Sequence, residues 1–274
     1  MGNATLRSMH VHPVKAFRGL SPQEAVVEPW GLAGDRRWAL VDDGGKVVTQ
    51  REQPRLALAA AELLPGGGIV LSAPGQVPLT VPVPEPERTL AIDIFGTKVE
   101  AVPASDAAHD WCTAYLGAEV RLVHLDDPAT RRPVDPPYAL PGETVSLADG
   151  YPLLVTTLAS LDALNSLLAE GDHADEGPLP MNRFRPNAVV AGTEAWAEDH
   201  WSRISVGEVE FRVARPCGRC VVTTTDQGTA VRGREPLRTL ARHRNRAGQL
   251  VFGQNLVPLT PGTIRVGDPV RVLG

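Results

Sequence analysis

Ile204-Ser-Val-Gly-Glu-Val-Glu-Phe-Arg-Val213, running on through Ala214-Arg-Pro-Cys-Gly-Arg-Cys220, holds two features at once. The first part reads as two short strands, 204–206 and 208–213, across a glycine turn. The second places two of the chain's three cysteines within one turn of each other, bracketed by arginines. The strand–turn–strand pattern recurs. Trp38-Ala-Leu-Val41 and Lys46-Val-Val-Thr49 flank Asp-Asp-Gly-Gly, while Thr89-Leu-Ala-Ile-Asp-Ile94 and Lys98-Val-Glu-Ala-Val102 flank Phe-Gly-Thr. Residues 264–273 read as a closing strand region. Many short strands with frequent Gly and Pro turns favour a barrel or sandwich over a parallel sheet. The expected class is α+β, mainly β.

Three helices interrupt the strands. Asp106 to Leu116 has Ser105 as N-cap and Gly117 as its stop, and Ala108, Trp111, Cys112 and Tyr115 fall on one face, so Cys112 is expected in the core. Leu158 to Ala169 repeats the pattern with Leu161, Leu164 and Leu168, ending before Gly171. Glu235 to His243 carries Pro236 near its first position, where the missing donor matters little. The tract from Asp126 to Gly142 holds five prolines and no periodicity, which suits a domain junction or a long active-site loop. The expected division is 1–125 and 126–274.

Bulk properties narrow the function classes. The 274 residues are 43% hydrophobic and 22% charged, as in an ordinary globular protein. A net charge of -5 speaks against nucleic acid, whose phosphates require surplus Lys and Arg. Three cysteines are too few for a disulfide framework and point to a reducing compartment. The first residues lack the apolar core of a signal peptide, and no run approaches the ~20 apolar residues of a membrane span. A cytoplasmic protein without membrane attachment is expected.

Cys217-x-x-Cys220 admits several readings. A thiolate attacks electrophiles or ligates soft metals, and flanking arginines favour that form. A structural zinc site would need about four ligands, and no second cysteine pair exists; His10-x-His12 is the nearest supplement. A redox dithiol would open a helix, whereas Val-Val-Thr-Thr-Thr after Cys220 reads as strand. Arg183-Phe-Arg-Pro-Asn187 offers two forks suited to phosphate or carboxylate, with surface ion pairs to 194–199 as the alternative. Only three basic residues are lysines, and Lys15 sits before a glycine-containing turn that leads to Gly34-Asp-Arg36. Nucleotide-binding glycine motifs are absent.

In order along the chain, His12-Pro-Val-Lys15, Gly34-Asp-Arg36, Arg51-Glu-Gln-Pro-Arg-Leu56, Asp149-Gly-Tyr-Pro-Leu-Leu154, Ala159-Ser-Leu161, Arg183-Phe-Arg-Pro-Asn187, Ala197-Glu-Asp-His-Trp201, Pro216-Cys-Gly-Arg-Cys-Val-Val-Thr-Thr224, Phe252-Gly-Gln-Asn255 and Gly262-Thr-Ile-Arg-Val-Gly-Asp-Pro269 resemble the MOSC-domain family. The resemblance implies a smaller MOSC N-terminal β-barrel domain followed by a β-barrel MOSC domain. Within the family the chain is similar to the amidoxime-reducing group of mitochondria and bacteria. That likeness implies a molybdenum cofactor (Mo-molybdopterin), with Cys220 as its protein metal ligand and the catalytic residue. It further implies that Lys15, Arg36 and Arg185, with Asn187 beside them, hold the pterin and its phosphate. The Asp149-Gly-Tyr-Pro152 loop, with Gly150 and Tyr151, and the backbone of Gly218 and Arg219 would line the cofactor. Ala16 departs from a frequent serine, and Tyr151 from a smaller polar residue, both at the presumed mouth.

The implied activity is that of an oxidoreductase reducing small N-hydroxylated or N-oxygenated substrates by oxygen-atom transfer to molybdenum. Electrons would come from a separate donor protein of ferredoxin, flavoprotein or cytochrome type. Pyridoxal phosphate, associated with the family at large, is not expected. The rival is a cofactor or sulfur carrier, with Cys220 transiently bearing a persulfide.

Overall fold

The computed structural model describes residues 4–134 and 139–274. Part of the proline-rich tract (135–138) and residues 1–3 lie outside the described residues. The expected class holds: the chain is mainly β, with few helices. Its largest sheet has eight strands. In order these are Thr5–Met9, Ala188–Ala191, Leu153–Thr157, Gln249–Pro258, Val209–Gly218, Arg203–Val206 and Val270–Val272, with Asn245–Arg246 paired to Gln249–Pro258. Backbone bonds from Leu6 N to Asp268 O and from Val270 N to Ala4 O join the first strand to the last, which nearly closes the sheet into a barrel. Leu6, Met9, Val155, Ile204, Phe211 and Leu256 fill its interior. Residues on both sides of 125 therefore build one sheet.

A five-stranded sheet orders Val47–Val48, Trp38–Val41, Arg121–His124, Thr97–Pro103 and Leu90–Ile94. Helix Asp106–Leu116 belongs to the same half of the molecule, its buried face sharing a core with Trp38, Leu40, Leu56 and Leu71. Cys112 lies in that core, where burial pushes its thiol up to about 12. All three predicted hairpins form with antiparallel register.

Four local expectations change. The closing strand region is two strands: Gly262–Arg265 pairs with Glu24–Glu28, and Val270–Val272 pairs with Arg203–Val206. The last helix spans Leu237–His243, with Pro236 as its N-cap. Ser105 makes no side-chain cap bond. The run after Cys220 is not a strand but a 3-10 turn, Val221–Thr224, because its own hydroxyls compete for backbone acceptors. Thr223 N (3.1 Å) and Oγ1 (2.9 Å) both donate to Cys220 O, and Thr224 Oγ1 donates to Val221 O at 2.8 Å. Among the described residues no helix is long and apolar enough to cross a membrane.

Candidate functional site

Segments far apart in the sequence converge on one cleft. Lys15 N donates to Trp38 O and Arg36 N to His12 O, both at 2.7 Å, which ties the first loop to the strand entry. Strand Val209–Gly218 shifts register against Gln249–Pro258 twice, at 213/215 and 216/218. Such bulges re-aim side chains, and Arg215, Pro216, Cys217 and Gly218 all line the cleft. A Cβ at Gly218 would come within 2.4 Å of Gln249 Nε2, so any side chain there would displace the end of that glutamine. The turn Met181–Phe184 ends at Arg185 in a left-handed conformation (φ 52°), followed by buried Asn187. The 148–150 loop is held from behind by buried Arg132, which donates to the carbonyls of Ser146, Ala148 and Asp149.

The cleft encloses about 430 Å³ and is lined by segments from both halves of the chain. Every predicted site residue reaches it: Lys15, Arg36, Gly150, Tyr151, Arg185, Asn187, Gly218, Arg219 and Cys220. So do Asp149 and Arg183, which stood in segments read as cofactor-lining and anion-binding, and Arg51 and Gln249, which the sequence reading did not single out. Arg51 and Asp149 stood inside quoted motifs, but nothing local joins them: the Lys15–Asp149 pair spans 134 positions.

Positive charge dominates. Lys15 Nζ pairs with Asp149, and Arg51 meets the other Asp149 oxygen at 3.3 Å. Burial nonetheless lowers Lys15 to about 8, against the pull of Asp149. Burial alone would raise the Asp149 carboxyl, but Lys15, Arg51 and Arg36 outweigh it and hold the group well below the usual carboxylate range. Asp149 lies within the concavity, yet its side chain is 63% exposed toward the cleft, so the cations weigh more than burial. Burial and neighbouring Arg36 push Arg185 down to about 9. A guanidinium stays protonated in proteins, so that push registers as positive charge lacking a counter-ion.

The polar partners separate scaffold from binding groups. Asn187 is consumed internally: Nδ2 donates to His10 O (3.1 Å), and Oδ1 accepts from Leu154 N (3.2 Å) and Arg36 Nη1 (3.1 Å). Arg36 also pairs with buried Asp35. The Arg219 backbone N–H is taken by Leu250 O, which leaves its side chain as the Arg219 donor in the cleft wall. Arg219 Nε donates to Phe252 O at 2.9 Å while its Nη2 is buried without a partner. Arg185 Nη2 is likewise orphaned, and its Nη1 reaches only Gln227 Oε1 at 3.4 Å. Arg183 is directed elsewhere: its bonds go to Thr224 O and Asp226, not to residues 194–199 as the ion-pair reading expected.

The two cysteines are free and differ. Burial raises the Cys217 thiol pKa, partly offset by Arg219, which keeps it neutral. Cys220 faces the Arg51 guanidinium, whose pKa burial would lower but Asp149 and then Cys220 raise. Among the described residues no group of three or more His, Cys, Asp or Glu is placed to hold a metal ion. A metal at Cys220 therefore needs a carrier that brings its other ligands. The residues suit such a carrier: orphaned, buried guanidinium nitrogens for an anion, and a thiol for a soft metal.

Comparison with known proteins shows what the whole chain is similar to. Residues 3–119 match the MOSC N-terminal beta barrel domain and residues 142–271 the MOSC domain. Mitochondrial amidoxime-reducing component 1 of Homo sapiens is 34% identical over 291 residues, covering 98% of this chain and 83% of that protein. Its Danio rerio counterpart is 34% identical over 275 residues, with 95% and 82% covered. Molybdenum cofactor sulfurase of Oryza sativa subsp. japonica is 28% identical over 261 residues, 90% of this chain but 32% of that protein.

Proposed function

Because the chain belongs to the MOSC family, with its N-terminal barrel and MOSC domain in order, we propose that it holds Mo-molybdopterin in this cleft and reduces N-oxygenated small molecules. The carrying observation is that nine residues spread from position 15 to 220 line one cation-rich cleft with a thiol in its wall. Cys220 ligates the metal; deprotonation on ligation suits a soft thiolate. Lys15, Arg36 and Arg185 hold the phosphate and pterin, and the orphaned Nη2 atoms of Arg185 and Arg219 gain their missing partners. Asn187 positions rather than binds, since its amide is spent on His10, Leu154 and Arg36. Gly150 and Tyr151 form the loop edge.

When bound, the cofactor supplies the two electrons that reduce the nitrogen–oxygen bond, renewed by a separate electron-donor protein. Two protons must accompany them if the oxygen leaves as water. Asp149 is held ionised and has none to give.

The test is protein purified from a cofactor-producing host, assayed for molybdenum and for reduction of an N-hydroxylated amidine with dithionite-reduced mediator. Near-stoichiometric metal with turnover is the expected result. Sulfane sulfur on Cys220 without metal or turnover would replace this reading with the carrier.

A further inference from the structure

Strands Leu90–Ile94 and Thr97–Pro103 are joined through Phe95 and Gly96, both at positive φ (52° and 93°). Two-residue turns of this hand favour Asn-Gly or Asp-Gly, because a Cβ at the first position crowds the chain. A phenylalanine there is locally unfavourable, and the core does not compensate it: Phe95 is 51% exposed. Backbone strain of this kind persists where something else depends on it. The ring's neighbours identify the dependence. Its centroid lies 4.4 Å from Arg51 Cζ and 5.4 Å from Lys15 Nζ, and Arg51 is the guanidinium facing Cys220. A turn from the first half of the chain thus sets an aromatic ring against two cations of the cleft wall, with about half of the residue open to solvent.

We propose that Phe95 is a specificity-determining residue of this site, its ring receiving the planar part of a substrate whose nitrogen–oxygen group points past Arg51 toward Cys220. This rests on the reductase reading above. Stacked rings add attraction beyond their buried area, so substrates with an aryl group gain from Phe95 and alkyl ones do not. Turn strain and substrate choice are two sides of one residue.

The experiment compares wild type, Phe95→Asn and Phe95→Leu on an aryl and an alkyl amidoxime, with melting curves of the metal-free proteins. Asparagine tolerates the left-handed turn, so Phe95→Asn is expected to melt at or above wild type. In both variants KM for the aryl substrate should rise about three- to tenfold, with kcat and the alkyl KM little changed. Equal effects on both substrates, or a lower melting temperature in Phe95→Asn, would overturn the proposal. Should wild type turn over neither substrate, the reductase reading fails on its own. Calorimetric Kd of the aryl amidoxime for metal-free protein then decides the role of Phe95: weaker in Phe95→Asn supports it, unchanged overturns it.

Discussion

Replacing Arg185 with Met should make the empty protein more stable and the loaded one harder to form. Arg185 sits beside Arg36 with one long hydrogen bond, to Gln227 at 3.4 Å, and an orphaned Nη2. At face value, a push from 12.5 to about 9 corresponds to about 5 kcal/mol of unfavourable surroundings. Water in the open cleft screens most of that, leaving about 1–2 kcal/mol. Methionine keeps much of the volume, removes the charge, and suffers the φ of 52° no more than arginine does. For a chain of this length about 1 kcal/mol moves Tm by roughly 2 °C, so the metal-free variant should melt about 2–4 °C higher. A charge-assisted hydrogen bond to an anion is worth about 1.5–3 kcal/mol, so cofactor retention should fall about ten- to hundredfold. Scanning fluorimetry of metal-free protein and metal analysis of protein from a cofactor-producing host read the two effects. A lower Tm with undiminished metal would refute the view that Arg185 is a cation waiting for an anion.

Three further outcomes are expected. Cys220→Ala should fold with Tm within about 2 °C of wild type, since the side chain is only partly buried, yet lose activity and hold the reconstituted cofactor less tightly; Cys217→Ser should be milder, and equal loss in both would point to a dithiol. Below about pH 8 Lys15 is charged in both folded and unfolded chains, so the cost of burying its charge is full; that cost fades as pH rises from about 8 towards 10.5. Metal-free wild type should therefore gain stability across that window relative to Lys15→Met while its affinity for an anion falls, as paired melting and phosphate-binding titrations would show. Arg132→Ala leaves three carbonyls of the 146–149 segment without their donor. It should cost about 3 kcal/mol, roughly 6 °C in Tm, and loosen Asp149 against Lys15.

What was legible in the sequence was what is local. The hairpins at 38–48 and 90–103 and the helix Asp106–Leu116 follow from turn residues and apolar spacing, and each forms near its expected bounds. The Val-Val-Thr-Thr-Thr run misled because β-branched residues favour strands, while their hydroxyls here bond back to Cys220 O and Val221 O and wind a 3-10 turn. Turn spacing left barrel and sandwich both open, and only the family resemblance implied the barrel, since closure depends on Ala4 and Leu6 bonding Val270 and Asp268 across nearly the whole chain. For the site, the family motifs led to nine of the residues that line the cleft, but their hydrogen-bond partners required coordinates. Asn187 and the Arg219 backbone turned out to be spent internally, and Arg51 and Asp149 gained importance only through partners far away in sequence.

The most direct test of the account is X-ray absorption at the molybdenum edge, comparing purified wild type with Cys220→Ala reconstituted with the same cofactor. One fewer sulfur neighbour around the metal in the variant is the expected result. An identical sulfur shell in both proteins would contradict it, because the metal would then be held without this cysteine.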